Sequence, residues 1–123
     1  MARRVKNTTA KPGATAAQRR VLSGENAITA APTVATDGYL LEQNEVVHLL
    51  FKVGGTTPVF RIRIYWYSIV SGEWHKGRQV VINANDLVTA EAQGLSRIYL
   101  QVETTPTGTA PLLDAWIALV RPV

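Results

Sequence analysis

Cysteine is absent from this chain of 123 residues, and histidine occurs only as His48 and His75. Without thiols there can be no disulfide scaffold, zinc–thiolate site, iron–sulfur cluster or cysteine nucleophile. Two histidines also leave little from which to build a multi-histidine metal centre. Long apolar runs are missing as well: the longest stretch without a charge is the eleven residues 26–36, too short and too polar to cross a bilayer. The opening residues do not read as a secretory signal either. The expectation is a soluble, cytosol-compatible protein with no membrane partner. Apolar residues make up 46% of the chain, enough for a real core.

Chemical motifs are equally scarce. The serines, Ser23, Ser68, Ser71 and Ser96, include none in a Gly-x-Ser-x-Gly elbow, and His48 and His75 read as a strand residue and a solvated residue after a turn. Gly54-Gly55 lacks the lysine and helix that a phosphate-binding loop requires. Asn83, Asn85 and Asp86 could lend oxygens to calcium, but capping a helix is the simpler role for Asp86. No spacing among the nine carboxylates selects a catalytic pair. The expectation is therefore no enzyme, no cofactor and no metal.

What is present is unevenly placed. Residues 1–24 hold six cations, Arg3, Arg4, Lys6, Lys11, Arg19 and Arg20, and no acid, whereas residues 25–123 hold seven cations against nine acids. All nine aromatic residues lie at or beyond Tyr39. The division predicts an extended or disordered basic arm over 1–24 and a folded domain over 25–123. Ordering such an arm costs about 1–2 kcal/mol per residue, while each charge contact returns about 1 kcal/mol. Electrostatics alone would leave it mobile, so an ordered arm needs backbone pairing and buried surface from neighbouring chains.

The body reads as strands. Valine, isoleucine and threonine account for 34 residues, a composition that favours sheet. From Phe60 to Tyr67 the alternation is clear: Phe60, Ile62, Ile64 and Trp66 on one face, Arg61, Arg63, Tyr65 and Tyr67 on the other. Residues 45–53 alternate likewise, with Val47, Leu49, Phe51 and Val53 together. Residues 54–58, Gly-Gly-Thr-Thr-Pro, read as a turn between antiparallel strands, and Ser71-Gly72 as a hairpin turn. Further strands are expected over 78–83, 97–103 and 113–120, the last largely buried, with weaker ones near 27–30 and 38–42. Residues 104–111 read as a projecting loop. The one expected helix spans Asp86 to Gln93, capped by Asp86 and ended by Gly94.

Seven or eight short strands without long helices indicate an all-β antiparallel sandwich, jelly-roll-like, with an immunoglobulin-type order as the competitor. No internal repeat is visible. Tyr65, Tyr67, Trp74 and Trp116 could form an aromatic platform for sugars, but Trp66 and Trp116 read as core. That leaves Arg61, Arg63, Tyr65 and Tyr67 as a candidate interface face, since arginine and tyrosine are enriched where proteins meet.

A basic, aromatic-free arm followed by a compact cysteine-free β-body, with the hairpin phrase Phe60-Arg-Ile-Arg-Ile-Tyr-Trp-Tyr-Ser-Ile-Val-Ser-Gly-Glu-Trp, resembles virion structural proteins of tailed bacteriophages, in particular capsid cement (decoration) proteins. The resemblance implies a non-enzymatic protein, made in the host cytoplasm and carried on the capsid surface. There it would bridge major capsid proteins as a trimer or dimer, its arm ordering on a neighbour. Two alternatives stay open: a small coat protein whose basic arm binds RNA or DNA, and a carbohydrate-binding β-sandwich module. Tail and baseplate roles fit the same plan.

Overall fold

The computed structural model describes residues 15–41, 46–90 and 96–121. It has seven strands: β1 (Thr15–Glu25), β2 (Tyr39–Leu41), β3 (Val46–Ser68), β4 (Glu73–Ile82), β5 (Asp86–Ala90), β6 (Ser96–Val102) and β7 (Thr107–Arg121). All pairings are antiparallel. The expected all-β antiparallel fold is what forms.

The long strand β3 organises it. Its first arm, 46–54, lies between β7 and β5, and its second arm, 60–68, lies between β4 and β6. The sheet therefore curls into two halves, ordered β1-β7-β3-β5 and β4-β3-β6-β2. One core cluster joins them: Leu22, Val47, Leu49, Phe51, Leu113, Ala115 and Ile117 from the first half, and Leu41, Phe60, Ile62, Ile64, Ile82, Ile98, Leu100 and Val102 from the second. The alternation read from the sequence places these residues inward and their neighbours outward.

The chain doubles back at the β3–β4 turn, and each segment before that turn pairs with its counterpart after it. Phe60 lies opposite Ile82, Val47 opposite Ala90, Tyr39 opposite Ile98 and Thr15 opposite Arg121. The turn has the expected chemistry, with Gly72 at φ 71° donating its N–H to the Ser68 carbonyl at 2.8 Å.

Five local expectations are corrected, the first being the weak strand near 27–30, which is irregular chain between β1 and β2. Residues 54–58 are not a turn: β3 passes through them from one half-sheet to the other. The same glycine- and proline-rich punctuation that closes a hairpin also bends a continuous strand at a bulge. Its partner 107–110 is strand rather than a projecting loop, because Thr56 and Val59 pair with Thr109 and Thr107. Residues 86–90 form strand β5, not a helix, and Gln93 and Gly94 lie outside the described residues. Two turns of helix are costly to nucleate, whereas Leu87-Val88-Thr89 finds a ready ladder along β3. Finally, residues 15–24 belong to the folded domain: β1 pairs with β7 from Thr15 to Glu25, and Leu22 is buried. The expected arm thus runs too far along the chain, and its first fourteen residues lie outside the described ones.

Candidate interface and the faces of the sheet

The second half-sheet wears a cover on its outer face. Residues 26–38 leave β1 and cross that half, tied down at several points. Thr29 donates its N–H to the Val102 carbonyl at 3.1 Å, and its Oγ1 accepts from the Val102 N–H at 2.9 Å. Tyr99 donates its hydroxyl to the Ala30 carbonyl at 2.7 Å, and Trp74 donates Nε1–H to the Val34 carbonyl at 3.0 Å. Asp37 closes the strap on itself: its Oδ2 accepts from the Thr33 and Val34 N–H groups at 2.7 and 3.0 Å. Those backbone donors hold the Asp37 carboxyl below its ordinary pKa.

The expected interface face, Arg61, Arg63, Tyr65 and Tyr67, lies on this outer side and is not an open platform. Tyr65 is only 8% exposed, its hydroxyl donated to Gln101 Oε1 at 2.7 Å. Tyr67 packs edge-on to Trp74, Trp74 to Tyr99, and Tyr99 to Tyr65, with ring centroids 5.3–6.3 Å apart. This chain of rings serves packing geometry. Arg63 is committed to Glu103, with Nε 3.0 and 3.1 Å from the two carboxylate oxygens and Nη1 donating to the Gly77 carbonyl at 2.9 Å. Of the four, Arg61 alone is exposed.

Glu103 is the hub of that edge. Besides Arg63 it accepts from Gln79 Nε2 at 2.6 Å and lies 3.6 Å from Lys76 Nζ. The Arg63 hydrogen bonds lead in holding its carboxyl below the usual carboxylate range. A carboxyl whose folded pKa is depressed contributes stability above its unfolded pKa and loses it as pH falls through the folded value. Glu103→Gln is expected to cost about 1 kcal/mol at pH 7, in line with a charged hydrogen bond at a half-exposed edge. The gap to wild type should close as acid protonates Glu103, which denaturation curves at a series of pH values would show.

The first half-sheet has no such cover among the described residues. Across its outer face run, in register, Arg20 on β1, Trp116 on β7, Leu50 on β3 and Leu87 on β5. The Arg20 guanidinium sits 5.3 Å from the Trp116 ring centroid and pairs with Asp114. Asp114 also accepts from the Gly24 N–H at 2.8 Å, and that bond, with Arg20, holds its carboxyl below its ordinary pKa. Leu87 is 51% exposed, and Leu112, on the same face, 46%. Trp116, read from the sequence as core, thus points outward: Leu113, Ala115 and Ile117 take the inward positions. The parity of an apolar run broken only by Asp114 could not be told from sequence. Trp66 does pack against the core.

The cations of the expected arm divide. Arg20 belongs to this face. Arg19 points to the other side of β1, its guanidinium 5.2 Å from the Tyr39 ring centroid. Arg3, Arg4, Lys6 and Lys11 lie outside the described residues.

Groups with possible chemistry are dispersed. His75 Nε2 is 2.8 Å from Ser71 Oγ at the exposed β3–β4 turn, a contact the sequence reading missed. A Ser–His contact needs an orienting carboxylate and an oxyanion site to make a nucleophile, and here Ser71 Oγ also accepts from the Glu73 N–H at 3.3 Å, as a turn staple would. His48 is half-buried in β3, on the opposite half-sheet. Of the residues considered for calcium, Asn85 Oδ1 accepts from the Val53 N–H at 3.0 Å and Asp86 Oδ1 from the Leu87 N–H at 2.8 Å. No group of three or more potential metal ligands gathers among the described residues, and no helix among them is long and apolar enough to cross a membrane.

Comparison with known proteins adds no relative: no family model, curated protein or solved structure matches the chain.

Proposed function

We propose that this chain is a non-enzymatic structural protein of a virion, of the capsid cement type, that docks on neighbouring shell proteins through the outer face of its first half-sheet. The observation that carries the reading is the asymmetry of the two faces. One is crossed and tied down by the chain's own strap, with Arg61 and Val81 left exposed beside it, and the other carries no strap among the described residues and presents the row Arg20, Trp116, Leu50 and Leu87. Tryptophan and arginine are frequent anchors of protein–protein contacts, and here they share a face with the exposed Leu87 and Leu112. Docking through the unstrapped face fixes one orientation, as a shell-stabilising wedge needs.

Strand order supports the same reading. With the two arms of β3 counted separately, the eight segments interleave as 1-8-3-6 over 2-7-4-5, which supports the jelly-roll-like reading, an architecture frequent in viral shells and also in lectins. Fold alone does not fix function, so the competing readings are weighed on residues. Nucleic-acid packaging by the basic arm loses ground because Arg20 is ion-paired within the domain, leaving Arg3, Arg4, Lys6, Lys11 and Arg19. Five cations give a salt slope of only about −4.5. The sugar platform of Tyr65 and Tyr67 is not open: Tyr65 is buried, and Tyr67 packs edge-on to Trp74, whose Nε1–H is bound to the strap.

The test is to strip the protein from particles, add it back, and measure the temperature at which the capsid ruptures. Re-addition is expected to raise that temperature. An unchanged rupture temperature on removal would overturn the reading.

A further inference from the structure

The cleft at the open seam of the sandwich and the tip of the β3–β4 hairpin are complementary. The cleft, about 310 Å³, opens between β1 and β2 at the edges of the two half-sheets. Its floor is apolar, formed by Leu22, Ile98 and Ile117, and its rim carries Arg19, Tyr39 and Tyr99. Among the described residues no carboxylate lies within 4.0 Å of Arg19, whose guanidinium rests on Tyr39 alone. Asp37, also on the rim, is held by the Thr33 and Val34 amides and faces its own strap.

The hairpin tip is the converse shape. Val70 is 99% exposed and Ile69 60% exposed, side by side on a tight turn. Scattered apolar residues on a surface need no explanation, but two adjacent ones on a protruding turn form a knob. Between them they present seven side-chain carbons, a small apolar protrusion suited in shape and character to an apolar-floored cleft. At the base of the knob stands Glu73, exposed and with no cation within 4.0 Å among the described residues. The pairing therefore has charge complementarity as well: an acid beside the knob and a cation beside the hole.

Knob and hole lie on different elements of the molecule, the knob at the β3–β4 turn and the hole at the β1–β2 seam. We infer that the occupant of the cleft is the Ile69-Val70 tip of a second copy of this chain, with Glu73 of that copy against Arg19. Such a contact is head-to-tail: it closes into a ring if the rotation permits and otherwise propagates. It does not rest on the virion reading, since it concerns the free protein.

Sedimentation velocity on the full chain over a range of concentrations tests it. Wild type is expected to self-associate, and Val70→Asp to weaken association at least tenfold while leaving the monomer folded. Arg19→Glu and Glu73→Arg should each weaken it several-fold, and the double reversal should restore most of the loss. Rescue by the double variant separates a real pairing from damage to the fold. A chain that stays monomeric up to millimolar concentration, association that survives Val70→Asp, or single reversals without rescue would each overturn the inference.

Discussion

Replacing Gly108 by alanine is expected to destabilise the domain by at least about 3 kcal/mol, seen as a lower denaturation midpoint with an unchanged slope. The reason lies where β3 and β7 bend together. Gly55 and Gly108 sit at φ 100° and 103°, a conformation open only to glycine. They also pack reciprocally. A Cβ on Gly108 would lie 2.5 Å from the Thr57 carbonyl oxygen, and one on Gly55 2.4 Å from that of Ala110. Neither obstacle is a side chain that could swing away; both are backbone. Two penalties therefore add at each site, a forbidden backbone conformation and a steric overlap. The same corner carries the continuous strand from one half-sheet to the other, so relief by local movement would disturb both ladders. Gly24 is the internal control: its φ is 58° and a Cβ there would meet nothing within 4 Å. Gly24→Ala should cost about 1 kcal/mol.

Phe60→Ala is expected to cost about 3–5 kcal/mol, the range for emptying a fully buried aromatic site. Phe60 is fully buried, opens the second arm of β3, and pairs with Ile82 on β4. Its ring lies in the core shared by the two half-sheets, just beyond the corner, so collapse of the cavity would require the bend itself to shift. Val81, next to Ile82 but 48% exposed on the outer face, provides the contrast. Val81→Ala should stay within about 0.5 kcal/mol of wild type. Equal losses at the two sites would show that the inward and outward assignments in β3 and β4 are wrong.

How much of this was legible in the sequence follows from where side chains, rather than backbone, decide. The alternation from Phe60 to Tyr67 and from Val47 to Val53 named the inward residues of β3 correctly. Strand β1 was hidden because Ala16, Ala17, Gln18, Arg19 and Arg20 show no apolar period; its place is set by backbone pairing to β7 and by Leu22, with Val21 packed against the core. The corner at 54–58 carries the residues of a turn, and only its partner glycine at 108 reveals that two strands bend together. The strap announces itself weakly, through Asp37 and its amide donors, yet it crosses one half-sheet, bonding to Tyr99 and Trp74, and leaves the other without a strap among the described residues. Trp116 was assigned to the core because apolarity was legible and parity was not. The fold class could thus be read in advance, but which face is free could not, because that depends on a segment with no periodicity at all.

The docking claim stands or falls on Trp116. Capsid rupture temperature should be measured on stripped particles to which either wild-type protein or Trp116→Ala has been added back, with folding of the variant checked by its denaturation midpoint. Wild type is expected to raise the rupture temperature, and the folded variant to lose most of that gain, as a central anchor worth 2 kcal/mol or more would dictate. Equal protection by the two proteins, or none by wild type, would contradict the account.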